Sequence, residues 1–169
     1  MNKSIKDDIE TKLGILIGQP LIDLGRAGNL LWVAFGEKID TLDWKGIPIE
    51  KCKYYLNIQC SWRLTKGDSI IVASRDIYMP RTGIYDKNFE WDEIGANRFD
   101  ERASMFKKDF LSNLKVSEIH ADCFGGCKIS LDFGIEIEIF PDDSLVEEFW
   151  RFIMFDNSSN SHFVVFEKE

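Results

Sequence analysis

Residues 54–78 read YYLNIQCSWRLTKGDSIIVASRDIY, and this stretch carries the longest alternating pattern in the chain. Apolar or amphipathic side chains occupy its even positions up to Leu64, and polar side chains occupy its odd positions from Asn57 up to Thr65. Such alternation is typical of a strand with one buried face. Lys66-Gly67-Asp68 is typical of a turn, so the pattern predicts one long strand over residues 54–65 and a second antiparallel strand over residues 69–78.

The pattern outside this stretch predicts a single domain, 1–169, of the α+β class. Apolar residues recur every three to four positions in residues 1–13 and 98–112, which predicts two helices. Short loops favour antiparallel neighbours, so we expect a curved antiparallel sheet or open barrel of about eight strands with the two helices packed on it. We also expect a very short helix over residues 144–147 and a polar loop over residues 156–161.

The segment 79–97 has no regular periodicity but contains Tyr85, Phe89 and Trp91. A free linker would not carry so many aromatic side chains, so we expect this segment to pack over the sheet.

The 169-residue chain has a net charge of −8 and a pI of about 4.9. Without clustered Lys and Arg, this charge argues against a nucleic-acid or anionic-membrane partner, and it fits a basic protein partner. Many cytosolic proteins are equally acidic, so solubility alone is the simpler explanation. The N-terminus is charged and lacks the apolar core of a signal peptide, which predicts a cytoplasmic protein with free thiols.

Recognisable phosphate-binding, nucleophile-elbow and zinc-protease motifs are absent from the sequence, and we expect no cofactor. The best metal candidate is His120-x-x-Cys123-x-x-x-Cys127, although zinc requires a fourth ligand such as Asp122, Cys52 or Cys60. The alternative is that these are ordinary cytosolic thiols beside a tight turn.

Asp76 is the most unusual residue of the predicted hairpin. If Leu64 pairs with Ile70, the carboxylate of Asp76 falls on the inner face with Ile58 and needs a partner. The alternative is that the strand end is solvated, or that a bulge turns Asp76 outward.

Acidic residues cluster around Trp91 and the start of the second helix, at Glu90, Asp92, Glu93, Asp100 and Glu101. Paired carboxylates can serve acid–base catalysis or hold a cation, but acidic residues at a helix start also interact favourably with the helix dipole. A candidate pocket between the sheet and residues 79–97 would use Arg63, Asp76, Asp92 and Asp100. Candidate binding residues are Arg63, Arg75, Tyr78 and Trp91, because Arg, Tyr and Trp carry much interface energy.

Five short patterns together resemble a group of uncharacterised bacterial proteins of similar length. They are Ile58-Gln-Cys-Ser-Trp-Arg63, Asp76-x-Tyr78, Asp122-x-x-Gly125-Gly126, Ile137-Glu-Ile-Phe-Pro-Asp142 and Trp150-Arg151. The resemblance covers nearly the whole chain after the first helix, and it implies a bacterial cytosolic protein without implying an activity. Small acidic bacterial proteins of this build include toxin-neutralising immunity proteins. This comparison rests on size, charge and architecture and not on a shared motif.

Three hypotheses follow from the sequence. The first is a non-enzymatic protein-binding module, similar to an immunity protein. The second is a small-ligand binder or hydrolase that uses the carboxylate and arginine pocket. The third is a homodimer held together by edge-strand pairing.

Overall fold

The computed structural model describes residues 4–85, 87–144, 147–155 and 160–166 of the chain. These residues form two α-helices, α1 (Ile5–Leu13) and α2 (Arg98–Phe110), and ten strands. The strands are β1 (Leu21–Ala27), β2 (Leu30–Leu42), β3 (Pro48–Ile58), β4 (Ser61–Lys66), β5 (Ser69–Ala73), β6 (Val116–Ala121), β7 (Cys127–Leu131), β8 (Ile135–Phe140), β9 (Glu148–Phe155) and β10 (Asn160–Phe166). The predicted α+β class, with antiparallel strands and two helices, is confirmed.

The strands form two five-stranded antiparallel sheets, neither of which closes. The first sheet has the order β1-β2-β3-β9-β10, and the second has the order β5-β4-β8-β7-β6. Buried side chains of both sheets belong to one hydrophobic core. Leu31 and Val33 of the first sheet line a cavity of about 10 Å³ together with Trp62, Leu64 and Ile137 of the second. Because this volume is near the minimum for one water molecule, the two inner faces are closely packed.

The alternating stretch at residues 54–78 belongs to both sheets. β3 ends at Ile58 in the first sheet, and β4 begins at Ser61 in the second. The backbone N–H groups of Gln59 and Cys60 both donate to the carbonyl oxygen of Phe149, at 2.9 and 3.1 Å, where the chain passes between the sheets. The prediction of one continuous strand over residues 54–65 is therefore wrong. The alternation persists across the break because both sheets face one core.

The expected pairing of Leu64 with Ile70 is also wrong. Leu64 pairs with Val72 and Thr65 pairs with Ile70, so Ile71 is an extra residue in a β-bulge. β5 ends at Ala73, and residues Ser74–Tyr78 form a 3₁₀-helix where the sequence predicted strand.

Both predicted helices are confirmed. Ser4 and Asp7 form a reciprocal capping box at the start of α1, and Asn97 caps α2 by accepting from the N–H of Asp100 at 2.9 Å. The last two residues of the second predicted helix, 111–112, belong instead to a 3₁₀-turn, Leu111–Asn113. Residues 1–3 of the first predicted helix, residues 145–146 of the expected short helix and residues 156–159 of the expected loop lie outside the described residues.

Candidate protein-binding surface

Asp100, one of the predicted pocket residues, forms a buried ion pair with Arg26 of β1. Arg26 Nε lies 2.9 Å from Asp100 Oδ1, and Nη2 lies 2.9 Å from Oδ2. The side chains are only 2% and 16% exposed. Burial alone would raise the pKa of Asp100, but the hydrogen bonds from Arg26 and from the N–H of Gly95 lower it overall. Asp100 is therefore ionised at neutral pH and holds Arg26 in place. An ionised carboxylate has no proton to donate, so this residue does not suit the role of a general acid.

Arg63 lies in a row of charged side chains on the outer face of the second sheet. It forms an ion pair with Glu138, its cross-strand neighbour on β8. Lys128 on β7 lies 3.7 Å from Glu138 and 3.1 Å from Glu136. The hydrogen bond from Arg63 lowers the pKa of Glu138. Arg63 is thus paired with Glu138 on the outer face of the second sheet.

The remaining pocket candidates are Asp76, which bonds to its own turn, and Asp92, whose backbone contacts the same Arg26 that pairs with Asp100. Asp76 accepts from the N–H of Ala73 at 2.9 Å, which fixes the start of the 3₁₀-helix, and its Oδ1 lies 4.0 Å from Arg98 Nη1. Asp92 is exposed, and its backbone carbonyl accepts from Arg26 Nη2 at 3.4 Å. Three of the four predicted pocket carboxylates and guanidinium groups, those of Arg63, Asp76 and Asp100, are therefore occupied by contacts within the protein, and the carboxylate of Asp92 is exposed.

The predicted metal ligands lie on opposite faces of the second sheet. His120 is opposite Lys128 on the solvated face, whereas Cys127 is opposite Ala121 and is buried. Burial raises the pKa of the Cys127 thiol to about 12, and Cys123 is exposed on the turn. In the described part of the chain, no three His, Cys, Asp or Glu side chains are grouped so that they can hold a metal ion.

Residues 78–85 and 87–97, here called the aromatic loop, connect the 3₁₀-helix to α2. The base of the loop is closed by a β-bridge between Pro80 and Asn97 and by the N–H of Arg98, which donates to the carbonyl of Met79 at 2.8 Å. Asn97 is fully buried and donates from Nδ2 to the carbonyl of Trp91 at 2.8 Å. The expected irregular segment is present, and hydrogen bonds hold it in place.

The aromatic loop is attached to the rest of the domain at two further residues, Thr82 and Glu93. Arg26 Nη2 donates to the carbonyl oxygen of Glu93 at 3.0 Å. Thr82 donates from both its N–H and its hydroxyl to Glu101 Oε2 of α2, at 3.0 and 2.8 Å. The loop is thus attached to β1 and to α2 by hydrogen bonds within the protein.

The aromatic loop exposes an unusual amount of apolar surface for a tethered segment. It carries six of the 17 large apolar side chains that are exposed among the described residues. They are Tyr78, Met79, Ile84, Tyr85, Trp91 and Ile94. Since clustered exposed apolar groups are typical of interaction sites, this concentration marks the loop as a candidate binding surface.

Tyr78 and Trp91 form the centre of this surface. Their ring centroids are 5.2 Å apart with an interplanar angle of 52°, although the residues are 49% and 37% exposed. Arg75 lies three positions before Tyr78 in the 3₁₀-helix, and side chains at this spacing lie on the same face. Arg75 is exposed and forms no ion pair with the described residues. Three of the four predicted binding residues therefore share one surface, and Arg63 contacts Glu138 instead.

Acidic side chains surround Trp91 on the same loop. Glu90, Asp92 and Glu93 are all exposed, and their carboxylates form no ion pair with any residue that the structure describes. The loop therefore combines an aromatic centre with a negative rim of three carboxylates, and the exposed cations Arg75 and Lys87 lie on or beside the same loop.

A separate concave region of about 300 Å³ lies between α1 and the turn before β7. Its apolar lining comes from Ile5, Phe124, Phe149 and Phe166. Sequence patterns did not predict this cavity, because its lining residues belong to distant parts of the chain. It contains none of the predicted pocket or binding residues.

Residues of two of the five short patterns that carry the resemblance build a turn and a core contact. Asp122 Oδ1 accepts from the N–H groups of Phe124 and Gly126, at 2.7 and 2.8 Å, and a Cβ atom at Gly126 would collide with the same carboxylate. The fully buried Trp150 donates from Nε1 to the carbonyl of Gly125 at 2.7 Å. Asp122 and Gly126 thus shape the turn before β7, and Trp150 attaches this turn to the core.

Among the described residues, neither helix has the length and apolar composition that crossing a bilayer requires. Comparison of this chain with protein-family models, with curated proteins and with solved structures gives no match.

Proposed function

We propose that this protein is a non-enzymatic protein-binding module and that the aromatic loop, together with Arg75, is its contact surface. The observation that carries the proposal is the exposed Tyr78–Trp91 pair on a loop that hydrogen bonds hold to β1 and α2.

The residue types on this surface suit a binding hot spot. Trp, Tyr and Arg contribute most often to binding energy when they become buried in an interface. The aromatic pair is already assembled, and Asn97 and Arg26 already hold the loop backbone. A partner therefore gains apolar contact without having to order the loop, which reduces the entropic cost of association.

We propose that the partner is a basic protein. The net charge of −8 attracts a basic partner at long range, and the negative rim of Glu90, Asp92 and Glu93 attracts it locally. We therefore propose an immunity-like role, in which an acidic protein of the bacterial cytoplasm covers a basic toxin.

The alternative, a small-ligand binder or hydrolase, would require convergent and available polar groups. Asp100 is neutralised by Arg26, Arg63 by Glu138, and Asp76 is used by the 3₁₀-helix. No observation favours this alternative, and the protein-binding module remains the proposal.

The proposal is tested by partner capture with matched baits. A Tyr78→Ala/Trp91→Ala double variant removes the aromatic centre, and Trp44→Ala is the control because Trp44 is 88% exposed on the separate turn between β2 and β3. We expect the wild type and the control to retain the same basic protein from a lysate of the source organism, and the double variant to lose it. A partner that all three baits retain equally would contradict the assigned surface.

The charge of the partner is tested separately. An Asp92→Lys/Glu93→Lys variant reverses part of the negative rim and leaves the aromatic pair intact. We expect its association rate with the captured partner to fall at low salt and to converge with the wild-type rate at high salt, where charges are screened. An equal or faster rate at low salt would contradict a basic partner.

A further inference from the structure

The two sheets have four edge strands, β1 and β10 in the first sheet and β5 and β6 in the second. An edge strand exposes unpaired N–H and C=O groups, which form a template for another strand unless the edge is blocked. Three of the four edges are blocked in similar ways, and β10 is the exception.

β1 is blocked by a bulge, a carboxylate and a helix. Its register with β2 shifts between Leu21 and Asp23. Asp23 Oδ1 accepts from the N–H of Leu24 at 2.8 Å, and Lys107 of α2 reaches Asp23 at 2.7 Å. A second strand cannot pair along this edge without displacing these contacts.

β5 has the same three features. Ile71 forms its bulge, Asp76 accepts from the N–H of Ala73 at 2.9 Å, and α2 packs beside it. It is also only five residues long.

β6 is blocked by α1. Its register with β7 shifts between Val116 and Glu118. Glu10 of α1 accepts from the N–H of Ala121 at 3.1 Å and so occupies a donor of this strand. Bulges, charged side chains and covering helices are the features that prevent edge-to-edge association, and β1, β5 and β6 each have them.

β10 differs from these three edges in the part of the chain that the structure describes. Its register with β9 shifts between Val165 and Phe166, but the extra residue of that bulge, Phe149, belongs to β9. Its seven residues, NSHFVVF, include no Lys, Arg, Asp, Glu or Pro. It pairs with β9 in unbroken register from Asn160 to Val165, so the strand itself is not bulged. β10 therefore has a straight, uncharged edge next to the half-buried Phe163 and Val164.

We propose that β10 pairs antiparallel with β10 of a second copy of this chain. The pairing would join the two first sheets into one continuous ten-stranded sheet about a twofold axis, the commonest symmetry of homo-oligomers. In a pairing centred on Phe163, this residue faces its own copy, and His162 lies opposite Val164 of the second copy. Because the strand has no fixed charge, it faces its copy without like-charge repulsion.

The inference is independent of the proposed function, because β10 and the aromatic loop lie at different edges. The loop is attached to β1, and β1 and β10 form opposite edges of the first sheet. Pairing through β10 therefore leaves both aromatic loops free, and the dimer would present two binding surfaces to a multivalent partner.

The test is sedimentation equilibrium of the full chain from about 1 to about 100 µM, the range in which small interfaces dissociate. Val164→Lys adds a charge to the β10 edge, and Ile70→Lys is the control because Ile70 is an exposed apolar residue on the blocked edge strand β5. We expect the wild type and Ile70→Lys to dimerise with the same affinity. We expect Val164→Lys to weaken dimerisation at least about tenfold, because the introduced ammonium groups repel each other across the pair.

A monomeric wild type at the highest concentration, or equal dimerisation of the wild type and Val164→Lys, would overturn the proposal. If Val164→Lys does not fold, Ser161→Lys at an exposed position of the same strand replaces it. Hydrogen exchange gives a second readout: we expect β10 amides to become more protected as wild-type concentration rises, while β5 amides remain unchanged.

Discussion

The guanidinium of Arg26 and the carboxylate of Asp100 form a two-pronged ion pair between residues 74 positions apart in the sequence, with both N–O distances at 2.9 Å. This pair connects β1 to the first turn of α2. Arg26 also donates to the carbonyl of Glu93, so the same guanidinium holds the aromatic loop. One buried cation therefore fixes the relative positions of a strand, a helix and the candidate binding surface.

We expect Asp100→Asn to lower the free energy of unfolding by about 3 kcal/mol, because it leaves the buried charge of Arg26 without a counterion. Asp92→Asn is the matched control: this carboxylate is exposed and has no described ionic partner, so the change should be below about 0.5 kcal/mol. Urea unfolding at neutral pH measures both variants. Equal stability of the two variants would contradict a structural role for the Arg26–Asp100 pair.

We also expect the difference in stability between the wild type and Asp100→Asn to depend on pH. The pKa of Asp100 in the folded protein lies below the ordinary value of 3.8, because, despite burial, Arg26 and the N–H of Gly95 bind its ionised form. The ion pair therefore provides its full stabilisation of the folded state above pH 3.8. Its contribution is lost as the pH falls through the lower folded-state pKa. The stabilities of the wild type and Asp100→Asn should therefore converge in acid. A difference that persists well below pH 3.8 would show that the pair is not its source.

We expect Asn97→Asp to loosen the aromatic loop. The variant keeps the oxygen that caps α2, but it loses the Nδ2 donor to Trp91 and places a carboxylate in a fully buried position. The expected loss of stability is about 2 kcal/mol, with faster tryptic cleavage at Arg81 and Lys87 in the loop. Asn113→Asp makes the same chemical change at an exposed position and should leave both quantities unchanged. Unchanged cleavage in Asn97→Asp would contradict this tether.

We expect Phe133→Asn to stabilise the protein by about 1 kcal/mol. Phe133 has φ of 61° in the turn between β7 and β8, where a Cβ-bearing aromatic residue is strained and Asn is tolerated better. Its side chain is 70% exposed, so little packing is lost. Phe124→Asn is the control because Phe124 is also exposed but does not have positive φ. A lower denaturation midpoint for Phe133→Asn than for the wild type would contradict the prediction.

We expect one of the four free thiols to react rapidly with a disulfide reagent at about pH 8. Cys123 is exposed, whereas burial raises the pKa values of Cys60 and Cys127 to about 12 and also raises that of Cys52. The remaining thiols should react only after denaturation. Cys123→Ser should abolish the rapid phase, and a rapid phase that survives this substitution would contradict the assignment.

Local patterns were sufficient to predict the class of the fold. The periodicity of α1 and α2, the alternation within β3 and β4, and the turn at Lys66-Gly67-Asp68 all depend on neighbouring residues. Apolar periods of 2 and 3.6 residues directly report which face is buried. Arg75, Tyr78 and Trp91 could be named as candidate interface residues from the sequence, because Arg, Tyr and Trp are residue types that favour interfaces.

The sequence alone determined that this chain forms two helices and antiparallel strands around one core. Tertiary structure decided that the alternating stretch is divided at Gln59 and Cys60 between two sheets, since both sheets bury the same set of alternate side chains. It also decided that Asp100 pairs with Arg26 and that the carboxylate of Asp76 accepts from the N–H of Ala73 at the start of the 3₁₀-helix. Which carboxylate meets which partner depends on contacts between distant residues, and no local period encodes those contacts.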